Sequence, residues 1–124
     1  MKKPIYSLAA IVLVSLTFSF TNLRISEDIE MPENVKSIVD NKCYGCHSAE
    51  GKSDKAKKAL MWDDLSSLSK VKQISKLDDI SEAVEGGEMP PAKFLENFPD
   101  KKLTEEESKV LMEWANSSAN KILE

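Results

Sequence analysis

A chain of 124 residues, 41% hydrophobic and 31% charged, has room for one compact domain and not for two. It sets 17 basic residues against 21 acidic ones, a formal net charge of −4, which excludes the basic excess of a nucleic-acid binder. Two cysteines and a single histidine are too few for a structural zinc site, which takes four ligands.

Met1-Lys2-Lys3 is a short basic start, the apolar run Ile5 to Phe20 follows, and the first acidic residue is Glu27. This is the anatomy of a secretory signal, with small residues at Ser19 and Thr21 near its end. An uncleaved anchor is the alternative, but a full span takes about 20 apolar residues and this run is broken by Ser7, Ser15, Thr17 and Ser19. No cysteine lies near the run, so a lipoprotein anchor is excluded. Residues 1–21 are therefore read as a signal peptide or N-terminal anchor, 22–31 as a flexible polar lead-in and 32–124 as the domain. Removing 1–21 takes Lys2 and Lys3 from the 17 basic residues and none of the 21 acidic ones, which leaves a net charge of −6. The expected location is the periplasm, with a membrane tether through residues 5–20 if the signal stays.

Within the domain, Pro32 suits a first helical position, where its missing N–H costs nothing, and Glu33 suits the positive end of the helix dipole. Val35, Ile38 and Val39 recur at helical spacing, and the stripe runs on through Lys42 and Cys43 to Cys46. Ser48 to Lys55 reads as a loop around Gly51, and a short helix with Ala56, Ala59 and Leu60 ends near Trp62. Ile74, Leu77, Ile80 and Val84 fall on one helical face that Gly86-Gly87 stops. Residues 88–103, with Pro90, Pro91 and Pro99, cannot form one helix. Thr104 with Glu107 is a capping box opening a last helix whose buried face holds Leu111, Trp114, Ala115 and Ile122. No run alternates with period 2 for long enough to make a strand. The fold class is all-α, with three or four helices.

Cys43-Tyr44-Gly45-Cys46-His47 is the attachment pattern of a c-type haem. On a helical turn, residues three apart are separated by ~4.5 Å along the axis on one face. Two thiols so placed reach the two vinyl groups of one porphyrin, and His47 follows where its imidazole meets the iron. Gly45 keeps bulk away where backbone and ring approach. A thioredoxin-like pair would expect a strand before it and a βαβ setting, which are missing. A bare disulfide leaves His47 without a role, and such close pairs make strained bridges.

With no second histidine, the other axial ligand comes from methionine, lysine or a backbone amine. Met31 precedes the first helix, and Met61 and Met112 are explained by packing. Met89 lies between a helix stop and Pro90-Pro91, which stiffen the loop that carries it. It is the preferred ligand; filling a gap under the loop is the plainer alternative.

Cys43-x-x-Cys46-His47, then Gly87-Glu88-Met89-Pro90-Pro91, then a last helix with Leu111 and Trp114, resembles the small monohaem c-type cytochromes. The stretch from Trp62 through Lys72-Gln73 and Lys76-Leu77 to Met89-Pro90 resembles more closely the short bacterial haem-binding-domain proteins of that superfamily. The resemblance covers residues 32–122. It implies a cytochrome c-like fold with one covalent haem c between an N-terminal and a C-terminal helix, His47 proximal and Met89 distal. One departure is that Ala92 to Leu103 intervene before the last helix, where many short cytochromes run into it almost directly.

Trp62 reads either as an indole donor to a haem propionate or as packing. Phe94 and Phe98 shield the haem on the Met89 side or simply anchor their loop. Lys52, Lys55, Lys57 and Lys58 form either a docking patch near the haem edge or a solvated face. The expected function is single-electron transfer in the cell envelope, with redox proteins as partners, no nucleic acid, a monomer, and no enzymatic role. The alternative is a haem-based small-ligand sensor or minor peroxidase in which Met89 lets go of the iron.

Overall fold

The computed structural model describes residues 29–124; the expectations for the signal, the tether and most of the lead-in lie outside them. Five α-helices form: α1 (Glu33–Lys42), α2 (Asp54–Ala59), α3 (Lys70–Glu85), α4 (Ala92–Leu95) and α5 (Glu105–Leu123). Two 3-10 turns, Trp62–Ser67 and Pro99–Lys101, join them. Among the described residues there is no strand, and no helix is long and apolar enough to cross a membrane.

The domain is built on α3 packed along α5, with α1 crossing α5 at its side. Leu77 is fully buried, Ile80 nearly so, and Val35, Val39, Leu65, Leu111, Trp114, Ala115, Ala119 and Ile122 complete the core with them. The helical stripes read from the sequence are thus the faces that meet. Gly87 ends α3 in the left-handed region at φ 66°, which an L side chain adopts only with strain. The Thr104–Glu107 capping box forms in both directions, each side chain accepting the other residue's backbone N–H.

Three boundaries differ from expectation. α1 ends at Lys42, one residue before the first cysteine, so Cys43–Cys46 form turns rather than a continued helix. The turn still keeps a helical separation, because His47 N–H donates to Cys43 O at 3.2 Å. Pro32 is the cap of α1, not its first helical residue. The short helix expected to end near Trp62 ends at Ala59, and a 3-10 turn starts at Trp62. The 88–103 stretch, as expected, is not one helix but α4 and the Pro99–Lys101 turn. At the entry to the domain, Ile29 and Met31 pack against the core, and Trp114 Nε1 donates to Glu30 O at 2.9 Å.

Candidate haem site

Cys43, Cys46, His47, Trp62, Met89 and Pro90 all line one cleft of about 270 Å³. Its walls are almost wholly apolar. The cysteine turn forms one side, the Ile80–Val84 face of α3 another, and Pro91, Phe94 and Leu103 the side beyond Met89. The sequence separates these groups by up to 60 residues; the α3–α5 pair and the folded 88–103 segment bring them together.

His47 is held in one tautomer. Its Nδ1 lies 3.0 Å from Ala56 O and 2.9 Å from Leu60 O. Both are carbonyl acceptors, so Nδ1 carries the proton and donates to them. In neutral imidazole that leaves the lone pair on Nε2, the arrangement of a metal-ligating histidine with its second nitrogen braced. The end of α2 supplies both carbonyls: Ala56 O, which also accepts the Leu60 backbone N–H at 2.9 Å, and the carbonyl of Leu60, the residue that caps the helix. Trp62 N–H closes the loop by donating to His47 O at 3.0 Å.

The cysteine turn is clamped from outside. Tyr44 Oη donates to Asp63, whose other oxygen accepts from Ala49 N–H at 3.1 Å. The Asp63 bond raises the Tyr44 hydroxyl above its ordinary value, and the same bond lowers the Asp63 carboxyl. Burial pushes the Cys43 thiol up to about 11, so at neutral pH it is protonated. Gly51 is required by the fold: a Cβ there would collide with the Cys46 carbonyl. Gly45 faces no protein atom within 4 Å, so nothing in the protein itself demands its smallness.

Met89 is 38% exposed at the rim, while Pro90 behind it is buried. Trp62 packs on Trp114, ring centroids 6.0 Å apart, and its Nε1 is buried without a hydrogen-bond partner. An orphaned donor of that kind costs roughly 1–3 kcal/mol. An apolar slot, a braced imidazole, two free thiols and an unpaired indole N–H are what a haem with carboxylate arms would use. The residues fit the group.

The family model for a haem-binding domain matches residues 51–117. The chain belongs to the haem-binding-domain family. No curated protein and no solved structure matches it. The match begins after His47, so it includes Trp62, Met89 and Pro90, while Cys43, Cys46 and His47 rest on their own spacing and geometry. This haem-binding protein also uses groups that the sequence did not single out: the carbonyls of Ala56 and Leu60, the Tyr44–Asp63 clamp and Lys42. Carbonyls carry no side-chain signal, so helix-end geometry was needed to find them. Phe94 lines the cleft, and Phe98 stacks on it at 4.8 Å from outside. Lys57 pairs with Asp54 at 3.6 Å, so the expected patch carries an acidic residue among its lysines.

Proposed function

We propose that this protein is a periplasmic, monomeric electron carrier, not an enzyme, with one haem c joined to Cys43 and Cys46 and ligated by His47 and Met89. The observation that carries this reading is the cleft that gathers both thiols, the braced imidazole and the loop thioether. When bound, the haem supplies an iron that accepts or releases one electron. Every other role belongs to the chain. His47 presents Nε2 with its orientation fixed by Ala56 and Leu60; Met89 offers a soft sulfur, which favours the reduced state relative to harder ligands. Trp62, whose Nε1–H is buried without a partner, would donate a hydrogen bond to a propionate oxygen. Pro90, Pro91 and Phe94 keep water from the Met89 side.

The test is to produce the mature chain with a c-type maturation system and extract it with acidified solvent. Haem stays with the protein if both thioethers form, and complete loss of haem overturns the reading. The alternative is a haem-based small-ligand sensor or minor peroxidase in which Met89 lets go of the iron. The ferrous protein decides between them: a closed carrier resists carbon monoxide, whereas a sensor or peroxidase binds it rapidly and stoichiometrically.

A further inference from the structure

The 88–103 segment supplies one wall of the cleft, yet its Pro99–Lys101 turn finds its main packing partner in α4, within the same segment. Leu103 gives it one apolar anchor on the core. Buried Pro90 and the Glu88 N–H on Ala83 O hold its start, and lysines hold its end. Lys42 Nζ donates to the carbonyls of Asp100 and Lys102, both at 2.9 Å, and lies 3.6 Å from Glu107 Oε2. Lys101 returns the tie, its Nζ donating to Asn41 Oδ1 at 2.7 Å. Two of the three N–H donors of the Lys42 ammonium are thus taken by carbonyls, and the Glu107 carboxylate stands beside it as a counter-charge.

The Lys42 side chain is only 8% exposed. Removing a lysine from water is unfavourable unless its charge is met, so a buried one held by two carbonyls and a carboxylate marks a position where the fold depends on it. It also lines the cleft and directly precedes Cys43. The end of α1 that leads into the cysteine turn and the wall that continues from Met89 are therefore joined through one cation.

We propose that Lys42, seconded by Lys101, is a positioning residue for the distal ligand: it latches the 88–103 wall to α1 and so holds Met89 in place. This rests on His47–Met89 ligation. The latch acts on the balance between a closed cleft and an open one, because a competing ligand's apparent affinity scales with the open fraction.

The test uses the haem-loaded ferric protein titrated with imidazole and followed by its visible spectrum. Lys42→Met removes the charge-assisted bonds, and apparent imidazole affinity rises about tenfold or more. Lys101→Met and Asn41→Ala, which break only the exposed tie, raise it by a smaller factor, roughly threefold. Ile122→Val lowers global stability at the far end of α5 and leaves imidazole affinity unchanged. The latch is overturned if Lys42→Met binds imidazole like wild type, or if Ile122→Val matches its increase. Should Lys42→Met not fold, Lys101→Met and Asn41→Ala decide alone, and wild-type affinity in both overturns the proposal. A wild type that binds imidazole as tightly as Met89→Ala instead removes Met89 as ligand, and the latch with it.

Discussion

The methionines differ in where their sulfur is free to go. Met31 packs on the core, Met61 caps a 3-10 turn, and Met112 lies on α5 beside a second, more open groove. Met89 alone among them lines the cleft with His47. Met89→Ala is expected to abolish the weak far-red sulfur-to-iron band of the ferric protein. Met61→Ala and Met112→Ala keep that band and lose about 1–2 kcal/mol in thermal unfolding, since both are only partly buried. A band that survives Met89→Ala would make a lysine the next candidate. The Tyr44–Asp63 bond gives a pH prediction at the same scale. The Asp63 carboxyl is lowered in the fold, so its contribution is present above the ordinary carboxylate range and lost as pH falls through its depressed value. The Tyr44 hydroxyl is raised, so its contribution is present below about pH 10 and lost as pH rises through the higher folded value. Melting temperature against pH measures both flanks. Tyr44→Phe should flatten them, and an unchanged profile would assign the pH dependence elsewhere.

At the level of elements, α3 and α5 were legible because their apolar stripes run over several turns and their ends carry glycine or a capping box. Thr104→Ala is expected to cost about 1 kcal/mol by denaturant unfolding, because one side of the box then has no acceptor for the Glu107 N–H. The end of α1 was less legible. Nothing in Lys42-Cys43 stops a helix locally; the turn there follows from the Tyr44–Asp63 clamp and the bonds of Lys42 to residues 58 and 60 positions away. The same reason hid the Trp62–Ser67 turn, whose Leu65 is buried in the core. Of the site, the thiols, His47 and Met89 were readable from motif and loop chemistry. The Lys42 latch was not, because a lysine in a list of lysines says nothing about carbonyls that fold onto it.

For the whole molecule, the core formed by α3 and α5 is the frame on which the cleft depends. Leu77→Ala, at a position with no exposure, is expected to cost roughly 2–5 kcal/mol and to lower haem retention during expression. Equal holoprotein yield from that variant would show the cleft to be framed elsewhere. Cell fractionation and intact mass answer a different question, whether residues 1–21 are removed. The attachment of Glu30 to Trp114 gives that answer a physical meaning. The domain is fastened from Ile29 onward, so only the eight residues 21–28 separate it from the apolar run that ends at Phe20. Fully extended, eight residues reach about 28 Å. A retained anchor would make the proposed carrier a lodger on the bilayer surface, able to trade electrons only with proteins whose own redox groups stand within a short leash of the membrane. A cleaved one would be free to carry its charge across the whole compartment.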